Sequence, residues 1–172
     1  VFEGADGGAK STQVELMWQR LQQDGHSFRR LIFPRYEEPS SMLVRMYLQG
    51  AFGSNPSDVN AYAASTFYAV DRFAPYATDW KEYYASGGLL LADRYTTSNA
   101  IHQAAKLQKE ERPVFFQWLS DFEYEKLGLP RPDLVLYFDM PTEYAVSLLR
   151  KRESATGTKG DIHEVDELYL AA

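Results

Sequence analysis

The stretch that most constrains the fold lies at the start of the chain, in the sequence VFEGADGGAKST. Gly4, Lys10 and Ser11 satisfy three of the four fixed positions of the phosphate-loop pattern G-x-x-x-x-G-K-[ST]. In such a loop, which joins a strand to a helix, backbone N–H groups surround phosphate oxygens and the helix adds its positive end. The lysine reaches the transferred phosphate, and the serine hydroxyl ligates Mg²⁺. The pattern therefore predicts a phosphate site at the end of the first strand.

Ala9 stands where the pattern has its second glycine. If the backbone there is left-handed, a residue with a Cβ costs about 1–2 kcal/mol, and its methyl group also crowds the phosphates. Either effect weakens nucleotide binding or catalysis and leaves the fold intact, since Gly7 and Gly8 keep the loop adaptable. Taken alone, the stretch is also compatible with a tight strand-to-helix connection that binds nothing.

Short apolar runs alternate with helical stretches along the chain, which is typical of β-α-β units around a parallel sheet. The run from Leu89 to Ala92 follows two glycines and has the continuous apolar pattern of a strand buried on both faces. We predict strands over Val1–Glu3, Phe28–Arg35, Leu89–Ala92 and Asp133–Asp139. We predict helices over about 10–24, 40–49, 58–84, 98–108 and 114–126, and another one that begins near Thr142. Ligands are expected where the parallel strands end.

Length and composition limit the class of protein. With 172 residues, the chain is expected to form one domain. A net charge of -6 argues against a broad basic surface for nucleic acid but allows a local anion pocket. The lack of cysteine excludes disulfides and fits a reducing compartment, and His26, His102 and His163 show no metal-ligand spacing, so no zinc site is expected. No apolar run approaches the roughly 20 residues that span a bilayer, so we expect a soluble, cytoplasmic protein.

Both ends of the sequence are expected to be truncated. VFE begins within an apparent strand without an initiator methionine, and ELYLAA stops inside an apparent helix. We therefore expect the last strand of the sheet to lie beyond Ala172.

Polar and aromatic residues follow two of the predicted strands. Asp93 and Arg94 come directly after the apolar run, where a carboxylate can hold a water of the Mg²⁺ shell and a guanidinium can clamp a phosphate. Phe33, Arg35 and Tyr36 end the second strand and suit a nucleobase with its phosphate. The alternatives are an exposed ion pair and an ordinary surface turn.

Two further groups are candidates for the same site. Tyr68 and Arg72 lie four residues apart and hence on one helix face, where the ring can stack on a base and the guanidinium can meet its edge, although aromatic residues at this spacing also form cores. The second group is basic and flanks the polar segment ESATGTKGD: Arg150, Lys151, Arg152 and Lys159. A mobile basic lid would neutralise charge and exclude water during phosphoryl transfer, and the alternative is a solvated helix terminus.

The motifs FEGADGGAKSTQ, FPRY, YAVDR, DRYTTSNA, PDLVLYFDMP and DIHE follow one another in this order from Phe2 to about Tyr169. Together they resemble the thymidylate kinase family of P-loop nucleoside monophosphate kinases, which phosphorylate thymidine monophosphate with ATP. The resemblance implies a three-layer α/β P-loop NTPase fold with a five-stranded parallel sheet flanked by helices. It also implies Mg²⁺, a flexible lid over about residues 150–164 and, usually, a homodimer.

The resemblance implies roles in binding ATP and the acceptor phosphate. The ATP-binding loop would comprise Gly4, Asp6, Gly7, Gly8, Ala9, Lys10, Ser11 and Thr12, with Lys10 at the phosphates and Ser11 at Mg²⁺. Asp93 matches the acid near the metal, and Asp6 also matches an acid near the sugar and phosphate of the acceptor. Arg35 and Arg94 match arginines near the acceptor phosphate.

Other matches surround the acceptor nucleotide. Phe33, Tyr68, Arg72 and Asn99 match positions around thymine, and Tyr36 and Ser98 belong to the same predicted site. His102 falls where many relatives place an aromatic ring beside the 2′ position of the sugar. Asp161, His163 and Glu164 match the end of a lid that closes over the acceptor. Because Gly7 stands where some members carry an arginine, Arg152 or Lys159 of the lid is expected to supply that charge.

The expected mechanism is an in-line attack of an acceptor phosphate oxygen on the γ-phosphate, with no general base. The predicted catalytic residues are Lys10, Asp93, Arg94, Arg152 and Lys159. One alternative is another deoxynucleotide kinase or a deoxynucleoside kinase of the same fold, the latter needing a carboxylate such as Glu3, Glu37 or Glu38 to accept a hydroxyl proton. A second alternative is a nucleotide-binding protein whose catalysis is impaired by Ala9.

Overall fold

The computed structural model describes residues 1–4, 10–141, 143–144, 146–148 and 150–151. Four strands form one parallel sheet in the order β2-β3-β1-β4. The strands are β1 (Phe2–Gly4), β2 (Phe28–Ile32), β3 (Leu89–Asp93) and β4 (Leu136–Phe138). The predicted α/β fold with a parallel sheet flanked by helices is confirmed.

Two strands are shorter than the sequence pattern predicts. β4 runs from Leu136 to Phe138, and these residues pair with Phe2 to Gly4 of β1. β2 ends at Ile32, since Pro34 lacks the N–H group that would continue the ladder. Helical residues after β4 recur at 143–144, 146–148 and 150–151, whereas Thr142, at the predicted start of that helix, lies outside the described residues.

Six α-helices have both ends among the described residues. They are α1 (Lys10–Gln23), α2 (Met42–Leu48), α3 (Ala61–Pro75), α4 (Lys81–Ala85), α5 (Thr96–Ala104) and α6 (Arg112–Ser120). Some of the predicted helical stretches are divided into shorter helices. A π-helical turn, Tyr76–Trp80, joins α3 to α4, and another, Asp121–Lys126, extends α6. The side chain of Asn60 caps α3 by accepting a hydrogen bond of 2.8 Å from the N–H of Ala63.

Helices cover both faces of the sheet. Leu91 of β3 packs with Val14 and Trp18 of α1, whereas its neighbours Leu90 and Ala92 pack in the cluster that contains Trp80. Because successive residues of a strand point to opposite faces, α1 and the Trp80 turn lie on opposite sides of the sheet. This gives three layers. Among the described residues, no helix is both long and apolar enough to cross a membrane.

Candidate active site

The central strand β1 leads into the predicted phosphate loop. Gly4, its last residue, packs so closely on β4 that a Cβ there would lie 3.1 Å from the carbonyl oxygen of Phe138. A side chain at this position would therefore push the two strands apart. Four predicted loop residues, Asp6, Gly7, Gly8 and Ala9, lie outside the described residues.

Lys10 begins α1, with Ser11 and Thr12 exposed on the same first turn. The ammonium group of Lys10 pairs with the carboxylate of Asp93, the last residue of β3, and only 8% and 14% of the two side chains are exposed. This pair joins the start of α1 to the end of the neighbouring strand, as expected for a site at the carboxyl edge of the sheet. The Ser11 hydroxyl and the Asp93 carboxylate are oxygen ligands of the kind that Mg²⁺ prefers, so these residues fit the metal that the motif implies.

Arg94 follows with φ at 63°, in the left-handed region that residues with a Cβ rarely adopt. Its N–H donates to the carbonyl of Phe2 at 3.0 Å, and its Nη1 lies 3.3 Å from Ser98 Oγ and 3.0 Å from His102 Nε2. A guanidinium can only donate, so Nε2 of His102 is the acceptor and the ring proton lies on Nδ1. The structure thus brings three predicted acceptor-site residues together: Arg94, Ser98 and His102.

Glu3 of β1 holds the loop that carries these residues. Its side chain is fully buried and accepts hydrogen bonds from Tyr95 N–H at 3.0 Å, Thr97 Oγ1 at 2.6 Å and Ser98 Oγ at 2.5 Å. A carboxylate committed to three donors and closed to solvent is not placed to take a proton from an acceptor hydroxyl. This argues against the deoxynucleoside kinase alternative, in so far as it relied on Glu3.

Arg72 and Asn99, which were predicted near thymine, are both buried and meet at Glu123. Glu123 lies in the π-helical turn after α6 and accepts from Arg72 Nε at 2.8 Å, Arg72 Nη2 at 2.6 Å and Asn99 Nδ2 at 2.8 Å. Asn99 Nδ2 also donates to the carbonyl of Ser65 at 3.1 Å. Sequence reasoning missed Glu123, because nothing in DFEYE distinguishes it from the neighbouring acids Asp121 and Glu125.

Asp71 of α3 holds the FPRY segment in place by hydrogen bonds. Asp71 is buried and accepts from the N–H of Arg35 at 2.8 Å and from Ser40 Oγ at 2.7 Å. The guanidinium of Arg35 pairs with Glu38 at 3.2 Å and remains about one-third exposed, 34%. Asp71 was also missed by sequence reasoning, although it directly precedes Arg72.

The aromatic candidates differ in what they offer a ligand. Phe33 is 4% exposed and packs against the Tyr95 ring, with 6.0 Å between ring centroids, so it is part of the core. Tyr68 is half-buried and meets the edge of Tyr47, and Tyr36 is exposed. Five predicted lid residues lie outside the described residues: Arg152, Lys159, Asp161, His163 and Glu164.

The sheet is parallel, and its strand β1 is followed by a helix that begins with the buried Lys10. The neighbouring strand β3 is followed directly by Arg94 after its last residue, Asp93. These features define a P-loop kinase. The sequence model of the family described as Thymidylate kinase matches residues 2–170. The chain belongs to the thymidylate kinase family, so the resemblance of its motifs is confirmed. It is an enzyme, a nucleotide-binding kinase.

Individual relatives agree with this family. Thymidylate kinase of Mycobacterium tuberculosis (strain ATCC 25618 / H37Rv) is 31% identical over 167 residues, which cover 96% of this chain and 77% of the relative. Human thymidylate kinase is 29% identical over 140 residues, covering 81% and 59%, respectively. Thymidylate kinase of Caenorhabditis elegans is 27% identical over 151 residues, covering 84% and 64%.

Proposed function

We propose that this chain transfers the γ-phosphoryl group of ATP to dTMP and produces dTDP and ADP, with Mg²⁺ as the metal. The observation that carries the proposal is the set of charges at the carboxyl edge of the sheet. Lys10, Asp93 and Arg94 lie together there, whereas Glu3 is committed to its own hydrogen bonds. Such a site suits an acceptor that already carries a phosphate. Family membership supports the same reaction.

The chain's own residues contribute position and charge. Lys10, now paired with Asp93, lies at the helix start that faces the ATP phosphates, and its charge suits the transferred group. Arg94 and Arg35 hold the acceptor phosphate in line. Ser11 and, through water, Asp93 would hold Mg²⁺, which would supply positive charge to the phosphates of ATP. The loop residues Asp6 to Ala9 complete the cradle, and Arg152 or Lys159 of the lid adds charge at the transferred group.

The remaining candidates define the acceptor site. Arg72 and Asn99 read the base, with Tyr36 and Tyr68 as its aromatic surroundings. The contact between His102 and Arg94 supports a role for His102 near the sugar and phosphate of the acceptor, where it would sense the 2′ position. Asp161, His163 and Glu164 close over the acceptor. We assign all of these residues to one kinase domain over residues 1–172, with the lid at about 150–164.

Exposed apolar side chains support a homodimer. α2 packs on α3, and several large apolar residues of this helix pair remain exposed, among them Met42, Leu43, Val70 and Phe73. We call these four residues the α2–α3 surface. A second copy of the chain is the partner we propose for it. Neither nucleic acid nor a membrane is proposed as a partner, and the cysteine-free composition supports a cytoplasmic location.

A turnover assay tests the reaction. ADP release should be measured with ATP, Mg²⁺ and, in turn, dTMP, dUMP, UMP, AMP and thymidine as acceptors. We expect dTMP to give the highest kcat/KM, and Lys10→Met to abolish release with every acceptor. Faster turnover of thymidine than of dTMP would favour the deoxynucleoside kinase alternative, and binding of ATP without turnover would favour the nucleotide-binding alternative.

A further inference from the structure

We propose that Glu123 is a specificity-determining residue of the acceptor site, although it acts through other side chains. By holding Arg72 and Asn99 in fixed orientations, it sets one hydrogen-bond donor beside one acceptor, the pattern that a base with a 4-keto group and an N3–H requires. Thymine and uracil have this pattern, and cytosine has the reverse. The inference rests on the proposed function, because it concerns the base of the same acceptor nucleotide.

Glu123 is the point at which three helical elements meet. It is fully buried, and its two oxygens accept three hydrogen bonds of 2.6–2.8 Å from α3 and α5. The two bonds from Arg72 form a bidentate pair, which fixes the plane of the guanidinium as well as its position. Because Asn99 shares the oxygen Oε1 with Arg72, the orientations of the two side chains are coupled through one carboxylate.

The partners of Asn99 determine which way its amide faces. Both Ser65 carbonyl oxygen and Glu123 Oε1 are acceptors, and they lie 3.1 Å and 2.8 Å from Nδ2. The reversed amide would place Oδ1 against two acceptors and lose both bonds. The nitrogen is therefore turned toward Glu123 and Ser65, and Oδ1 is left to act as an acceptor.

Arg72 supplies the complementary donor. Its Nε and Nη2 are used by Glu123, and among the described residues Nη1 has no hydrogen-bond partner. Nη1 can donate to the O4 of thymine, and Asn99 Oδ1 can accept from N3–H. Cytosine presents an amino group and an unprotonated N3 at these positions, so donors would face donors and acceptors would face acceptors. A buried site built in this way rejects the mismatched base strongly, since its polar groups remain unpaired.

A glutamine at position 123 tests this mechanism with almost no change of shape. Glu123→Gln removes the charge and replaces one oxygen by an amino group, which faces either Nε or Nη2 of Arg72. The bidentate pair is therefore broken in both orientations of the glutamine amide, and the plane of the Arg72 guanidinium is no longer fixed. We expect the ratio of kcat/KM for dTMP to that for dCMP to fall about tenfold or more, mainly through a higher KM for dTMP. The KM for ATP should change less than about twofold.

Glu125→Gln is the matched control, because Glu125 lies in the same turn but is exposed and pairs only with Arg131, at 2.9 Å, among the described residues. It should keep the wild-type ratio. If Glu123→Gln fails to fold, Glu123→Asp decides: it keeps the charge but is too short to hold both partners, so the ratio should fall again. A variant that folds with an unchanged dTMP-to-dCMP ratio overturns the inference but not the proposed function. A wild-type enzyme that does not favour dTMP overturns both.

Discussion

Glu3 Oε1 accepts a hydrogen bond of 3.0 Å from the backbone N–H of Tyr95, and this bond ties the end of β1 to the loop after β3. The same carboxylate accepts hydrogen bonds from the hydroxyl groups of Thr97 and Ser98. One buried side chain thus fixes the turn that contains Arg94. Arg94 adopts its left-handed conformation at this turn. Since such a conformation persists only where the surroundings enforce it, Glu3 is expected to position Arg94.

The first prediction follows from this network. Glu3→Gln keeps the shape but presents an amino group to donors, so we expect the free energy of unfolding to fall by about 1–3 kcal/mol. The kcat/KM for dTMP should fall about tenfold or more, because Arg94 loses its support. Urea denaturation and steady-state kinetics measure both effects. Glu110→Gln, a change at an exposed position, is the control. Wild-type stability of Glu3→Gln would contradict the role assigned to this carboxylate.

The second prediction concerns the buried pair of Lys10 and Asp93. Asp93→Asn leaves the ammonium group of Lys10 without its counter-charge, so the ligand-free protein should lose about 2–3 kcal/mol of unfolding free energy. The double variant Lys10→Met/Asp93→Asn removes both charges and should recover part of this loss, with a coupling energy of about 1–3 kcal/mol. A double-mutant cycle in urea measures it. Additive losses would mean that the two residues do not interact in solution.

The sequence was sufficient to predict the parallel sheet and the position of Asp93 and Arg94 at its carboxyl edge. Leu89 to Ala92 form a continuous apolar run, and the charged residues that follow a buried parallel strand necessarily lie at its carboxyl edge. The predicted helix over 98–108 in fact runs from Thr96 to Ala104. The start of the helix is shifted because Tyr95 N–H and Thr97 Oγ1 donate hydrogen bonds to Glu3, which lies more than ninety residues away in the chain.

The side-chain networks could not be predicted in the same way. Asp71 and Glu123 look like ordinary acidic residues of amphipathic helical stretches. Asp71 is buried where Arg35 and Ser40 bind it, and Glu123 is buried where Arg72 of α3 and Asn99 of α5 bind it. For Phe33 the reverse holds. An aromatic residue at the end of a strand suggests a ligand contact, whereas its side chain packs in the core. Hydrogen bonds between residues distant in sequence leave no local pattern.

The third prediction concerns Ala9, which lies outside the described residues. If it occupies a left-handed position close to the phosphates, Ala9→Gly removes a cost of about 1–2 kcal/mol, so kcat/KM for ATP should rise by up to about five- to thirtyfold. The KM for dTMP should stay the same. Initial rates at varied ATP with saturating dTMP measure the effect. Indistinguishable kinetics of the two proteins would mean that the loop tolerates the methyl group.

The fourth prediction concerns the α2–α3 surface. Val70 and Phe73 lie three residues apart on α3 and are 48% and 39% exposed. If a second copy covers them, Val70→Lys buries a charge at the interface and should convert a dimer into a monomer. Light scattering coupled to size exclusion gives the mass directly. Leu16→Lys, at an exposed apolar position of α1, should leave the dimer intact. A wild-type protein that is monomeric at assay concentrations would contradict the proposed homodimer.

The fifth prediction concerns Lys106, whose burial lowers its pKa from 10.5 to about 8. Between these values the unfolded chain binds more protons than the folded one, so the contribution of Lys106 to unfolding free energy rises with pH across this window. Lys106→Met removes the group, and its unfolding free energy should rise less from about pH 8 to about pH 10 than that of the wild type. Urea denaturation at several pH values measures the slope. Lys109→Met, at an exposed position nearby, should keep the wild-type slope. Equal slopes for Lys106→Met and wild type would show that Lys106 keeps its ordinary pKa in the folded protein.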